Sequence, residues 1–137
     1  MSKKVTEKFT ERAKKALFAA IKEAKGFGSN TIDTEHILLG LLSDNTSVAS
    51  KILSNYSLDL GKVREAVLTS SDPKLIAETE DAFSEHAQEA LASATLQAYL
   101  AGSSYVGPEH ILCGLAKTTS GLACHILRSW GVTYEIV

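Results

Sequence analysis

Apolar residues recur along this chain at alternating three- and four-residue spacings, the pattern of helices that bury one face. The first stripe follows Thr10, a residue type that favours helix N-caps, and it stops before the turn-forming segment 26–30. Its members are Ala13, Ala16, Leu17, Ala20, Ile21 and Ala24. Shorter stripes with the same spacing follow. The pattern therefore predicts a four-helix unit, with the last three helices over residues 35–43, 47–56 and 59–70.

The later helices of this unit have their own start signals. A short extended link through Ile32 leads to Thr34, which we expect to cap the second helix, and Asp59 is expected to cap the fourth. Apolar residues at helical spacing should face the core in all three. The inward positions are predicted to be Ile37, Leu38, Leu41, Leu42, Val48, Ile52, Leu53, Val63, Ala66 and Val67.

The chain carries this unit twice. Residues 83–127 align without a gap on residues 9–53 at an offset of 74, with about 18 of the 45 aligned positions identical. Ser84 then corresponds to Thr10 as an N-cap. Pro108 falls in the first turn of a helix, where its missing N–H costs little. An internal repeat fixes the architecture, because neither copy can bury its apolar stripes alone.

We therefore expect one all-α domain over residues 1–137, built from two tandem four-helix repeats around a pseudo-two-fold axis. Repeat one should cover 9–70, a connector 71–82, and repeat two 83–137. The last helix of repeat two is expected to be truncated, since the chain ends where that helix should begin.

Charge and cysteine usage narrow the function classes. The net charge of −2 gives no general case for binding nucleic acid or a membrane. A basic nucleic-acid-binding module is a weak alternative, because the lysines of the first helix surround it and form no single stripe. Cys113 and Cys124 lack CxxC spacing, which favours buried reduced thiols and a cytoplasmic location. No signal peptide or apolar run of membrane-spanning length is present.

Catalytic and metal signatures are absent from the sequence. There is no GxxxxGK[ST] phosphate loop and no recognisable nucleophile–base set, so we expect no enzymatic activity and no cofactor. His36 and His110 are expected to be packed, hydrogen-bonded residues, and no set of metal ligands accompanies them. Gly40 and Gly114 lie mid-helix in both copies, which favours close helix packing.

Glu35 and Glu109 occupy the first turn of equivalent helices, and two interpretations are open. An acid there interacts favourably with the helix dipole, by about 0.3–1 kcal/mol. A carboxylate there could also bind a guanidinium group, and backbone N–H groups at a helix N-terminus can hold an anion. Thr10 and Ser84 have the corresponding structural role of N-caps, which does not exclude a contact with an anion.

The doubled motifs resemble the Clp N-terminal repeat, the amino-terminal domain of Clp-type AAA+ unfoldases, and most nearly that of the ClpC group. The resemblance runs from about Lys8 to Val132, with an F-[TS]-E-x-A motif and an EHIL-x-GL motif in each copy. It implies a module on a hexameric ATPase ring that binds adaptor proteins and protein substrates before a partner peptidase degrades them. The motifs lie in segments 9–13, 34–42, 83–87 and 107–115.

The resemblance also implies site residues. In some ClpC proteins two equivalent pockets hold phosphorylated arginine side chains. The matching positions here are Glu35 and Glu109 for the guanidinium, with Thr10 and Ser84 near the phosphate. Two departures predict unequal pockets. Asp33 adds a negative charge where the family usually has Gly, and Pro108 removes a hydroxyl and an N–H donor.

The resemblance leaves two roles open within binding proteins. The preferred one is the recognition module of a Clp unfoldase, monomeric when isolated and located in the cytoplasm or, in a plant, the plastid stroma. The alternative is a free-standing Clp-repeat protein that docks on the Clp protease and modulates its assembly. The chain end at Val137 favours a fragment of a longer protein.

Overall fold

The computed structural model describes residues 8–29, 31–70, 82–118 and 121–132. The helices of these segments follow the predicted order and confirm the all-α fold of two repeats. Most of the expected connector 71–82, and residues 133–137, lie outside the described residues. The helices are α1 (Glu11–Gly26), α2 (Thr34–Leu42), α3 (Val48–Ser54), α4 (Leu60–Ser70), α5 (Glu85–Leu100), α6 (Pro108–Lys117) and α7 (Leu122–Ser129).

Side-chain caps begin three of the helices as predicted. The Thr10 hydroxyl accepts a hydrogen bond from the Ala13 N–H at 3.1 Å, and that of Ser84 accepts one from Ala87 at 3.0 Å. The Asp59 carboxylate accepts from the Lys62 N–H at 2.9 Å. Each bond satisfies one of the backbone donors that a helix start leaves without an intrahelical partner.

The predicted cap Thr34 was wrong, because Asp33 is the N-cap of α2 and Thr34 is its first residue. The Asp33 carboxylate accepts the Thr34 N–H at 2.8 Å. The Thr34 hydroxyl instead accepts from the Ala123 N–H at 3.2 Å, and so caps α7 of the other repeat. The backbone of Gly121 lies against this hydroxyl and has a φ of +106°. A Cβ there would lie 2.9 Å from the Thr34 oxygen. This cap therefore needs glycine at 121.

The predicted inward positions of repeat one are confirmed with one exception, and Ile21, Ile52 and Ala66 are partly buried against the core. Leu38 and Leu112 are fully buried, as the shared EHIL motif requires. Val48 was expected to face inward but is 51 % exposed, whereas Ala49 is fully buried. The reason is that α3 begins at Val48, immediately after its cap Ser47, and turns Ala49, Ser50 and Leu53 toward the core.

Mid-helix glycines bring two pairs of helices into backbone contact. A Cβ at Gly40 of α2 would collide with the Ala16 carbonyl oxygen of α1, and one at Gly114 of α6 with the Ala90 carbonyl oxygen of α5. Both glycines therefore serve close packing, as predicted. The small residues on the facing helices permit the same approach in each repeat, so the two repeats share one scaffold.

Two short parallel backbone pairings join the repeats. Strand β1 (Thr31–Ile32) pairs with strand β2 (Ala82–Phe83), and Phe9 forms an isolated bridge with Val106. At the offset of 74, Phe9 corresponds to Phe83 and Ile32 to Val106, so the two pairings are equivalent. Each repeat thus pairs the residue before the N-cap of its first helix with the residue before the N-cap of the second helix of the other repeat, which confirms the pseudo-two-fold arrangement.

Gly114→Ala should lower the free energy of unfolding by about 1–3 kcal/mol, because the added methyl group meets backbone that cannot rotate away. Gly26→Ala is the matched control, since a Cβ at this helical glycine meets nothing within 4 Å. It should leave stability unchanged or raise it slightly. Urea unfolding followed by circular dichroism measures both. Equal effects of the two substitutions would contradict the close-packing role.

Thr34→Val should cost about 0.5–2 kcal/mol of stability, because it removes the hydroxyl that caps α7 and keeps the side-chain volume. Thr34→Ser retains the hydroxyl and should recover most of the loss. Hydrogen exchange of the Ala123 amide should quicken in the valine variant. Unchanged protection at Ala123 would show that the cap contributes nothing.

Candidate functional site

The four predicted site residues fall into two groups that each draw on both repeats. The Ser84 N–H donates to the Ile32 carbonyl at 2.9 Å, and the Thr10 N–H donates to the Val106 carbonyl at 2.9 Å. Ser84 therefore lies at the start of the helix that carries Glu35. Thr10 lies at the start of the helix that carries Glu109.

We call these groups cradle one (Ser84, Asp33 and Glu35) and cradle two (Thr10, Gly107 and Glu109). Sequence reasoning found the two carboxylates and the two hydroxyls but missed this exchange between repeats. The signal was present in the short extended links before α2 and α6, whose free edges each needed a partner.

In cradle one, the Asp33 carboxylate is central. Its Oδ1 atom accepts hydrogen bonds from the Ser84 hydroxyl at 2.7 Å and from the Thr34 N–H at 2.8 Å. Glu35 follows on the first turn of α2, and only 2 % of it is exposed. Cradle one thus contains two carboxylates. One of them, Asp33, already accepts the hydrogen bonds of the Ser84 hydroxyl and of the first N–H of α2.

Cradle two differs at the position equivalent to Asp33, which is Gly107. The Glu109 carboxylate folds back over this glycine, so that a Cβ there would collide with its Oε1 atom. Pro108 is the first residue of α6 and has no N–H to donate. Cradle two therefore holds one half-buried carboxylate, the Thr10 hydroxyl and a backbone without a side chain at position 107.

The two histidines beside the cradles have a structural role. His36 Nδ1 accepts from the Asp33 N–H at 2.9 Å, and His110 Nδ1 accepts from the Gly107 N–H at 3.0 Å. Each ring satisfies the backbone donor of the N-cap residue, as a capping-box side chain does. The prediction of packed, hydrogen-bonded histidines is confirmed. In the described segments, no three His, Cys, Asp or Glu side chains are grouped closely enough to hold a metal ion.

The prediction of buried thiols is confirmed for Cys124 and only in part for Cys113. Cys124 is buried and Cys113 half-buried, and both are free thiols. Burial, with a smaller contribution from the Glu109 carboxylate, raises the pKa of the Cys113 thiol. Because the thiolate is the reactive form, this environment disfavours nucleophilic chemistry at Cys113.

A groove of about 670 Å³ lies between the second half of α5 and the link that precedes α6. Large side chains line it with much of their surface in solvent, including Tyr99 at 77 %, Tyr105 at 59 % and Leu96 at 49 % exposed. The Ser103 hydroxyl accepts from the Tyr105 N–H at 3.2 Å and donates to the Tyr105 carbonyl at 2.6 Å, which fixes the link. Lys8 also lines the groove.

The other repeat has a different surface at the equivalent positions. Sequence reasoning missed this groove, because it used the identities between the copies and not their differences. At the offset of 74, three exposed groove residues have polar twins on the same scaffold. The fold therefore does not require apolar side chains there. The pairs are Leu96 with Lys22, Tyr99 with Lys25, and Tyr105 with Thr31.

Comparison with known proteins decides the family. The family model of the Clp repeat N-terminal domain matches this chain twice, over residues 8–79 and 82–137. The chain belongs to this family. The Clp N-terminal domain is a non-catalytic helical module.

Sequence relatives of this Clp N-terminal domain include chaperones of bacteria and chloroplasts. Chaperone protein ClpB of Oceanobacillus iheyensis is 37 % identical over 131 residues, which is 92 % of this chain and 16 % of the relative. Chloroplastic chaperone protein ClpC1 of Oryza sativa is 35 % identical over 127 residues, or 91 % of this chain and 14 % of the relative. The chain thus spans about one-sixth of these relatives.

Solved structures share the fold of this Clp N-terminal domain. The N-terminal domain of the chaperone ClpD from Arabidopsis thaliana superposes with a TM-score of 0.80 at 28 % identity, covering 99 % of this chain and 93 % of that one. The N-domain of ClpV in complex with a VipB peptide superposes with a TM-score of 0.79 at 21 % identity, covering 96 % and 83 %. None of the described helices has the length and apolar character needed to cross a bilayer.

Proposed function

We propose that this domain is the protein-recognition module of a Clp AAA+ unfoldase, binding adaptor proteins and protein substrates for ATP-dependent proteolysis. The observation that carries the proposal is the apolar groove of repeat two. Large exposed apolar side chains cluster there, although the twin positions show that folding does not need them. Such clusters in a folded domain are typical of surfaces that bind protein.

The groove fits a short peptide segment better than a folded surface. It is concave, it runs along α5, and its tyrosines offer rigid aromatic contact area with a polar end. Lys8 adds a positive charge, which favours an acidic side chain beside the apolar ones. The occupant we propose is therefore a segment with leucine or aromatic residues next to Asp or Glu. The N-domain of ClpV, which shares this fold, is known in complex with a VipB peptide, which supports a peptide as the kind of occupant.

Replacing Leu96 and Tyr99 by lysine gives the groove the residues of repeat one and should abolish peptide binding. We expect fluorescence anisotropy with labelled casein-derived peptides to show at least about a tenfold weaker affinity for Leu96→Lys/Tyr99→Lys, because these side chains supply apolar contact area. Leu68→Lys is the control, since Leu68 is 63 % exposed on α4, away from the groove. Equal loss in both variants, or none in either, would contradict the groove as the docking site.

A more specific ligand, phosphorylated arginine, is proposed for the cradles. A carboxylate can bind the guanidinium through paired charged hydrogen bonds, while a cap hydroxyl and helix N-terminal N–H groups can hold the phosphate. Glu109 with Thr10, and Glu35 with Ser84, have the residue types that this ligand requires. The family resemblance supports these residues, and the pairing of each carboxylate with a hydroxyl from the other repeat is consistent with it.

Glu109→Gln should weaken phosphoarginine binding at least about tenfold, because a hydrogen bond to a charged group contributes about 1.5–3 kcal/mol. Isothermal titration calorimetry with free phosphoarginine measures this, and unmodified arginine should bind far more weakly. Glu89→Gln, on the exposed face of α5, is the control and should bind as wild type does. No heat at millimolar phosphoarginine would refute the ligand and leave the peptide groove as the basis of recognition.

The free-standing accessory protein remains the second candidate. It shares the groove and the cradles but would act by docking on the Clp protease. The coding sequence around this domain separates the two roles, because the preferred one requires AAA+ modules after Val137. For either role we propose a location in the cytoplasm or plastid stroma, since the relatives are bacterial and chloroplast chaperones.

A further inference from the structure

The two cradles are equivalent in backbone but differ in charge at one position. Asp33 of cradle one corresponds to Gly107 of cradle two at the offset of 74. The Asp33 Oδ1 atom accepts hydrogen bonds from the Ser84 hydroxyl at 2.7 Å and from the Thr34 N–H at 2.8 Å. A phosphate at this helix start would have to compete with Asp33 for both donors.

We propose that the Asp33 carboxylate is a built-in anion that fills cradle one, so that this domain binds a phosphorylated guanidinium group at cradle two alone. The inference rests on the proposed phosphoarginine function and assigns it to one of two equivalent places. Asp33 is the residue that determines which cradle accepts the anion.

Displacement of Asp33 by a ligand is unfavourable for two reasons. The carboxylate is attached to the N-cap residue, so it stays close to its donors at a local concentration that a free ligand cannot match. A displaced Asp33 would also face the incoming phosphate as a like charge. A phosphate at cradle one would therefore find both donors already bonded to Asp33, and the Asp33 charge would repel it.

Cradle two has no built-in carboxylate at position 107, although Pro108 leaves it without the N–H that Thr34 supplies in cradle one. Position 107 is a glycine, and Glu109 is the one carboxylate of this group. The Thr10 oxygen accepts the Ala13 N–H, an arrangement that leaves its O–H able to donate to an anion. The Lys8 carbonyl accepts a hydrogen bond from the Val106 N–H, so a basic residue lies close to the link that leads into cradle two. Its twin in repeat two is Ala82.

The test exchanges the two residues and counts the sites. Wild type, Asp33→Gly, Gly107→Asp and the double variant are titrated with free phosphoarginine by calorimetry, with 15N NMR shifts locating each site. We expect one site in wild type, at Thr10 and Glu109, and two in Asp33→Gly. Gly107→Asp should bind none, whereas Gly107→Asn, whose Cβ meets Glu109 in the same way without adding a charge, should retain measurable binding at cradle two. The double variant should bind one at Ser84 and Glu35. Wherever a substitution adds or removes the aspartate, the affinity of that cradle for phosphoarginine should change at least about tenfold.

A second variant controls for the loss of the N-cap of α2, which Asp33→Gly also removes. Asp33→Asn keeps a capping side chain without the charge, and it should also gain a site at cradle one, weaker than that of Asp33→Gly. Two sites in wild type, or one site in wild type and both Asp33 variants, would overturn the inference and leave the proposed ligand standing. No binding by any folded variant, including Asp33→Gly, would instead overturn the phosphoarginine function itself.

Discussion

The reciprocal backbone pairing between the repeats is the constraint on which the rest of this domain depends. Thr10 donates to the Val106 carbonyl and Ser84 to the Ile32 carbonyl, both at 2.9 Å. The pairings satisfy backbone groups that would otherwise be buried without a partner. They also place the cap hydroxyls of Thr10 and Ser84 beside the start of the second helix of the other repeat. Each cradle is therefore a product of the inter-repeat contact, and neither repeat contains a whole one.

Close packing within each repeat supplies the rigid support for this contact. Gly40 and Gly114 let their helices meet the preceding helix at backbone distance, and both copies retain them. The position of α2 relative to α1 is therefore the same as that of α6 relative to α5. Differences between the copies fall mainly on positions that this packing leaves exposed or at helix starts, where the groove and the cradles lie.

Much of the fold could be predicted from the sequence, because helix starts and apolar stripes are local signals and the repeat supplied the long-range order. Thr34 shows where local signals fail. It matches the N-cap preference, but Asp33 is the better acceptor for the first N–H, and the Thr34 hydroxyl serves α7, 89 residues away. The site residues were predictable from the motifs. Their exchange between repeats was not, because the partner of an extended link is set by tertiary contact.

The glycine at position 121 has a wider consequence. Repeat one caps α3 with its own Ser47, whereas repeat two obtains the cap of α7 from Thr34 of repeat one. The domain therefore resembles two related subunits joined in one chain, with an interface that is symmetric in its backbone pairings and asymmetric in its helix caps. Covalent linkage frees each half to specialise, because a change on one side is never copied to the other. A symmetric pair of identical chains could not carry Asp33 at one cradle and Gly107 at the other.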